Sequence, residues 1–291
     1  MGSQTVDGAI AIEVRWSNLL AAKVWIVTTR ALLRLLWSAD RMVRHMIPLR
    51  GIRTKLDCYR RADHDLRHLA DLLRISISEL PPTGNCAGAP DFLLLLARAV
   101  LTERPEVIVE FGSGVSTFVL AKCLEMNGTG RLISFDHSPA FAELTRRQLE
   151  RQRLSADIRV VPLRPSESAD HPGFWYDAND LPHAIDLIIV DGPPASLHPE
   201  TRGSAGPATF AKLRNGGMVL LDDAHRSGER KILSRWRRAY PDIEFSNVDT
   251  MKGTVVGRRI GDGFSSEIRS ARQRSAPGET IETAAKGALV L

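Results

Sequence analysis

Carboxylate side chains mark the ends of four apolar runs in this sequence. They are Glu110 in VIVEF (107–111), Asp136 at the end of LISFD (132–136), Asp191 at the end of IDLIIVD (185–191), and Asp222 and Asp223 at the end of GGMVLLDD (216–223). Short apolar runs bounded by turn residues indicate buried strands. Carboxylates at strand ends can bind hydroxyl groups, a cationic group or a divalent metal ion.

A glycine turn, GSGVST, directly follows the first of these runs. Gly112 and Gly114 permit a tight turn and a close approach of the backbone to a ligand. Ser116 stands near the start of the next helix, where free N–H groups favour an electron-rich ligand. A dinucleotide fingerprint requires a third glycine where Thr117 stands, and Glu110 disfavours a phosphate. The turn therefore suits a ligand that carries an ammonium group, and the alternative is a glycine turn that binds nothing.

Asp136 stands at the end of the second run, twenty-four residues after Gly112. An acidic side chain at this place can accept hydrogen bonds from both hydroxyls of a ribose. Taken alone, an aspartate after a strand is more often a cap or turn residue. Together with the glycine turn, Asp136 predicts ribose binding.

Three aspartates predict a metal site. Asp191, Asp222 and Asp223 follow two neighbouring strands, and carboxylate oxygens are the ligands that Mg²⁺ prefers. The alternative is that they cap turns or contact a cofactor. His225 offers a second route to chemistry as a general base near neutral pH, although a single histidine after a strand is more often structural.

Helical and strand patterns alternate from Pro90 to Ile260. We expect Asp91 to cap the first helix, a third strand near 158–163, and a helix that ends at Gly216 between the fourth and fifth strands. Strands separated by helices pair in parallel through right-handed crossovers, and the last two strands form an antiparallel pair. The pattern predicts a doubly wound α/β sheet, with ligands bound at the carboxyl ends of its strands.

Four segments carry a resemblance to a known family. They are EFGSGVST, SFDHS, LIIVDGPP and LRNGGMVLLDDAHR. Over residues 90–260, their order and spacing resemble those of the class I S-adenosylmethionine-dependent methyltransferases. The resemblance implies a Rossmann-like, mostly parallel seven-stranded sheet and S-adenosylmethionine as cofactor. The cofactor-binding residues that it implies are Glu110, Gly112, Ser113, Gly114, Ser116, Asp136, His137 and Asp191. Ser116 departs from the family pattern, in which a third alternate glycine is common.

The acidic cluster is similar to that of the catechol-type and macrocin-type O-methyltransferases. In DGPP, a glycine separates Asp191 from the prolines, and no aromatic residue follows, unlike the (Asp/Asn)-Pro-Pro-aromatic motif of nucleic-acid amino methyltransferases. The resemblance implies methyl transfer to a hydroxyl of a small molecule, such as a sugar or glycoconjugate. Asp191 and His225 would be catalytic, and Asp191, Asp222 and Asp223 would bind Mg²⁺. Nucleic acid is not an expected partner. The alternatives are an RNA or protein methyltransferase and a non-catalytic module that retains the fold.

Three other segments carry predictions of their own. Residues 1–80 are expected to form a helical extension whose basic amphipathic part is residues 15–50. This part is suited to a membrane surface, to packing on the catalytic domain, to covering the substrate entrance or to a homodimer contact. Residues 261–291 are small and polar and predict a disordered tail. In HPGFWYDANDLP (171–182), the aromatic residues either stack on a substrate or anchor the loop. Arg202 and Arg226 could bind an acidic or sugar substrate.

The amino-acid composition excludes only a few classes of protein. A net charge of +5 and a pI of about 9.4 are too mild to establish an acidic partner. Three scattered cysteines argue against a disulfide framework or a zinc site. The first residues do not form a secretory signal, so we expect a cytoplasmic protein. The alternative is a cytoplasmic protein that contacts a membrane peripherally through residues 15–50.

Overall fold

The computed structural model describes residues 50–83, 88–166 and 168–261. Among these residues, the helices are α1 (Arg50–Leu72), α2 (Pro90–Glu103), α3 (Val115–Asn127), α4 (Pro139–Arg151), α5 (Ala205–Thr209) and α6 (Ser227–Ala239). The strands are β1 (Val107–Phe111), β2 (Arg131–Asp136), β3 (Asp157–Val160), β4 (Leu163–Pro165), β5 (Phe174–Tyr176), β6 (Ile185–Val190), β7 (Leu213–Leu221), β8 (Ile243–Val248) and β9 (Thr254–Arg259). Short 3₁₀ turns precede and follow α5 at Thr201–Ser204 and Phe210–Lys212.

Seven strands form one sheet in the order β3-β2-β1-β6-β7-β9-β8. The first five pair in parallel, whereas β9 is antiparallel to both β7 and β8. This order confirms the predicted doubly wound, mostly parallel α/β fold and its closing antiparallel pair.

The apolar strands end at one level across the middle of the sheet. Phe111 is in register with Phe135 on one side and with Val190 on the other, and Val190 is in register with Leu221. The residue that follows each of β1, β6 and β7 still bonds to the neighbouring strand. The N–H of Gly112 donates to Phe135 O at 2.8 Å, that of Asp191 to Phe111 O at 3.0 Å, and that of Asp222 to Val190 O at 3.2 Å. The polar residues that follow the four strands are therefore brought side by side.

Helices on both faces bury this sheet. On one face, α2 and α3 contribute fully buried side chains such as Phe92 and Phe118. On the other face, Phe210 and Trp236 pack edge to face, with ring centroids 4.9 Å apart. Apolar burial on both faces explains why β1 is buried along its whole length.

The prediction for the third strand was wrong in its extent. β3 stops at Val160, and Leu163–Pro165 pairs instead with Phe174–Tyr176 in a separate antiparallel ribbon. The aromatic run is therefore a strand rather than a loop. Trp175 and Tyr176 are buried in the core, which agrees with the anchoring alternative, while Phe174 remains 37% exposed.

Two further local predictions were wrong. A short helix and two 3₁₀ turns replace the expected helix between β6 and β7, and β7 begins at Leu213 before the glycine pair. Ala89 is the N-cap of α2 and Pro90 is its first residue, because the extended backbone before a proline suits a cap position. Asp91 lies inside the first turn, where its carboxylate accepts the N–H of Phe92.

The flanking segments are described only in part. The amphipathic segment before residue 50 and the tail after residue 261 lie outside the described residues, so the predictions for membrane contact, dimer contact and a disordered tail stay predictions. In the described part of the chain, no helix has the length and hydropathy needed to cross a membrane.

Candidate functional site

The glycine turn after β1 is held by backbone contact and by one hydroxyl. Gly112 has a φ of +102°, and a Cβ there would lie 3.0 Å from the backbone nitrogen of Gly192, so a side chain is excluded. The Thr117 hydroxyl accepts the N–H of Gly114 at 2.9 Å and donates to Glu110 Oε2 at 2.6 Å. Thr117 therefore ties the turn to the carboxylate that precedes it, which explains the residue that stands in place of a dinucleotide-type glycine.

Glu110 is a fully buried carboxylate with one oxygen left over. Its Oε2 accepts the hydroxyls of Thr117 and Ser134, both at 2.6 Å, while Oε1 has no hydrogen-bond partner in the described structure. Burial raises the pKa of Glu110 from 4.5 to about 7, against the opposing effect of the neighbouring hydroxyls, including that of Ser116. A cation that approached Oε1 would satisfy the free oxygen and stabilise the charged form.

Asp136 connects the glycine turn to α4. Its Oδ2 accepts the N–H and the hydroxyl of Ser113 at 2.9 and 2.6 Å, and its Oδ1 accepts the N–H of Ser138 at 2.8 Å. Ser138 in turn caps α4. The turn-forming role and the ribose-binding role are compatible, since each carboxylate oxygen retains acceptor capacity. His137 lies beside this carboxylate, with Nδ1 3.6 Å from Asp136 Oδ1.

The three predicted metal ligands converge after β6 and β7. Asp191, Asp222 and Asp223 each offer an oxygen, and these oxygens all lie within 4.8 Å of one another. Asp222 is fully buried, and neither of its carboxylate oxygens has a hydrogen-bond partner in the described part of the chain. Burial, followed by repulsion from Asp191 and Asp223, raises the pKa of Asp222 above its usual range. Burial likewise raises the pKa of Asp191.

Arg202 is the main feature of this cluster that sequence reasoning missed. The structure buries its side chain and directs all five guanidinium N–H donors to protein oxygens. The acceptors are Pro193 O, Asp222 O, Asp223 Oδ2, Asp191 O and Asp191 Oδ1, at 2.5–3.3 Å. The expected contact with substrate was therefore wrong, because no donor remains. Nothing in the sequence around Arg202 marks this role.

Two more cations complete the charge balance around Asp223. Arg226 forms an ion pair with Asp223 at 2.8 Å, and Lys252 Nζ lies 3.9 Å from the other carboxylate oxygen. The Arg226 side chain is half-exposed, so its predicted contact with a substrate stays a prediction. Asp223 is thus well neutralised, whereas Asp222 is the carboxylate of the cluster without a hydrogen bond.

His225 lies at the exposed rim of the cluster. Its backbone N–H donates to Lys252 O at 3.0 Å, and its ring covers Gly253, where a Cβ would lie 2.5 Å from His225 Cδ2. His225 therefore follows Asp223 by two residues in sequence, and its side chain is exposed to solvent.

Comparison with known proteins points to one family. Residues 109–224 match the family described as a methyltransferase domain. No curated protein sequence is a match. A methyltransferase from Podospora anserina, PaMTH1, solved with S-adenosylhomocysteine bound, is 13% identical, with a TM-score of 0.50 over 74% of this chain and 97% of that one. An O-methyltransferase from Bacillus cereus, also solved with S-adenosylhomocysteine, is 19% identical, with a TM-score of 0.45 over 76% and 97% of the two chains. A methyltransferase from Geobacter sulfurreducens is 15% identical, with a TM-score of 0.46 over 69% and 89%.

Proposed function

Since residues 109–224 match a family described as a methyltransferase domain, we propose that this chain transfers the methyl group of S-adenosylmethionine to a hydroxyl of a small molecule. The free Oε1 of buried Glu110, beside a glycine turn that excludes side chains, is the observation that carries this proposal. A buried carboxylate with a free oxygen suits the ammonium of an amino-acid nucleoside better than a pyrophosphate, which is anionic.

The cofactor would bind across the ends of β2, β1 and β6. Asp136 would accept the ribose hydroxyls while its bonds to Ser113 hold the turn in place. Gly112, Gly114 and Ser116 would line the turn, and His137 would lie beside Asp136, whose carboxylate would accept the ribose hydroxyls. Asp191, at the end of β6, would face the methyl donor and the acceptor.

Mg²⁺ is the metal that we propose for this site. Asp222 fits it because both of its buried oxygens are free, and one oxygen each of Asp191 and Asp223 remains after their bonds to Arg202. A bound Mg²⁺ would supply Lewis acidity that lowers the pKa of an acceptor hydroxyl. Arg202 would keep the flanking aspartates in place and limit the repulsion within the cluster.

The chemistry is a displacement at the methyl carbon. The acceptor oxygen forms a bond to this carbon, the carbon–sulfur bond breaks, and the electron pair goes to sulfur to give S-adenosylhomocysteine. The hydroxyl proton must leave to a base. His225, at the rim of the aspartate cluster, is the base that we propose if the reaction proceeds without a metal.

For the acceptor, we propose a sugar or glycoconjugate. The aspartate cluster supports this choice because carboxylates accept hydrogen bonds from neighbouring hydroxyls on a polyhydroxylated substrate. The acceptor oxygen would then be placed in line with the sulfonium methyl by the same groups that bind its neighbours.

Calorimetry with S-adenosylmethionine and with NAD tests the cofactor, and methyl transfer to a panel of sugars, RNA and protein tests the acceptor. We expect micromolar binding of S-adenosylmethionine only, with transfer to sugars that is stimulated by MgCl₂. Failure to bind S-adenosylmethionine would refute the proposal. Full activity in EDTA would refute the metal, and a large loss in His225→Ala under those conditions would then identify the base.

A further inference from the structure

Tyr176 carries a buried hydroxyl with no hydrogen-bond partner in the described ranges. The side chain is only 4% exposed, and its ring packs against those of Phe111 and Trp175, with centroids 5.5 and 5.3 Å away. Leaving a buried hydroxyl unpaired is unfavourable, and most such groups in native proteins have a partner. The ring alone would pack equally well as phenylalanine, so the hydroxyl needs a separate explanation.

The hydroxyl lies between the ends of β1 and β6. A Cβ added to Gly192 would lie 2.2 Å from Tyr176 Oη and 3.1 Å from Gly112 Cα. Any side chain at position 192 would therefore displace the hydroxyl. Gly112 and Gly192 together leave the room that Tyr176 Oη occupies, at the strand ends where the cofactor is proposed to bind.

Charged groups around Tyr176 are mostly acidic. Burial, with Asp136 as the largest charge contribution, raises the pKa of the hydroxyl well above its usual value, and Asp191 and Glu110 act in the same direction. Arg202 is the opposing cation, but its five donors are already bound to other oxygens. The neutral phenol oxygen can accept a hydrogen bond, and the surrounding carboxylates favour a cationic donor.

We propose that Tyr176 Oη, together with Glu110 Oε1, binds the cationic methionine end of the cofactor. This inference rests on the proposed function and adds a residue that determines specificity. Asp136 would recognise the nucleoside half, whereas Tyr176 would discriminate cofactors with the amino-acid end from nucleosides that lack it. Two cationic groups are available at this end, the ammonium and the sulfonium.

Three ligands test the proposal by calorimetry on the full chain. S-Adenosylmethionine has both cationic groups, S-adenosylhomocysteine has only the ammonium, and 5′-methylthioadenosine has neither. We expect Tyr176→Phe to weaken S-adenosylmethionine by at least about tenfold, as for loss of a hydrogen bond to a charged group, and to leave 5′-methylthioadenosine unchanged. Tyr240→Phe, which removes the hydroxyl of a tyrosine packed on Phe210, is the matched control and should change none of the three.

S-Adenosylhomocysteine identifies the group that is bound. An equal loss for S-adenosylmethionine and S-adenosylhomocysteine assigns the ammonium, and a loss for S-adenosylmethionine alone assigns the sulfonium. If Tyr176→Phe leaves the binding of all three ligands unchanged, or weakens all three equally, the inference is overturned. Binding of S-adenosylmethionine by the wild type would still support the proposed function in either case. No binding of S-adenosylmethionine by the wild type would overturn both.

Discussion

Glu110→Gln removes one buried charge with little change in shape. Oε2 of Glu110 accepts both hydroxyl hydrogen bonds, so the amide oxygen of glutamine can take its place. The amide nitrogen then occupies the position of Oε1, which has no partner in the described structure. The variant therefore isolates the effect of the carboxylate charge on stability and on ligand binding.

The size of the expected change in the free energy of unfolding follows from the raised pKa of Glu110. Burial moves the pKa of Glu110 from 4.5 to about 7, so the folded state is penalised as the pH rises through this window, and the penalty is complete above it. By linkage, the penalty is about 3 kcal/mol at pH 8 and below about 1 kcal/mol at pH 5. The variant lacks this term, so its free energy of unfolding relative to wild type should rise by about 2–3 kcal/mol from pH 5 to pH 8. The buried amide nitrogen adds a cost that is the same at both pH values and cancels in the difference.

Urea denaturation at several pH values measures this change. Glu125→Gln, in which an exposed carboxylate of α3 is removed, controls for the loss of one charge and should show no comparable trend. A difference between Glu110→Gln and wild type that is the same at every pH would refute the reasoning. In calorimetry, the same variant should bind S-adenosylmethionine at least about tenfold more weakly, since an amide cannot neutralise the ammonium.

Two other substitutions test the aspartate cluster. We expect MgCl₂ to raise the melting temperature of the wild type in scanning fluorimetry. Asp222→Asn removes the buried carboxylate that has no partner in the described structure, so this rise should disappear, and a rise that persists would contradict the metal assignment. Arg202→Met removes the buried guanidinium that bridges Asp191 and Asp223 and should lower the free energy of unfolding by about 3–5 kcal/mol in urea denaturation. Arg226→Met, at a half-exposed ion pair, should cost less than about 1 kcal/mol, and equal losses for the two arginine variants would count against the network.

The central part of the fold could be predicted because its local signals agree. β1, β2, β6 and the second half of β7 are mostly apolar runs ended by polar residues, and nearly all of their side chains are buried by the sheet and the helices on its faces. A glycine turn after such a run has few alternative structures. The row of polar residues at the strand ends follows from the parallel order.

The rest depended on contacts between segments that are distant in sequence. β4 and β5 have three residues each, too few for a period to be recognised, and only their pairing with each other defines them as strands. The burial of Arg202 depends on two separate segments, residues 191–193 and 222–223, that place oxygens around it. Tyr176 could be recognised in part, since an aromatic run close to strand ends was visible, but its position over Gly192 could not.

The antiparallel course of β9 has a practical consequence for handling the protein. Leu221, at the end of β7 nearest the aspartates, is in register with Val255, whereas Met218 is in register with Arg258. The described chain therefore leaves the sheet at the end of the strands opposite the aspartates, where the N–H of Ile260 donates to Asp242 O. A label attached at residue 260 or 261 would therefore lie at the opposite end of the sheet from Asp191 and Asp222.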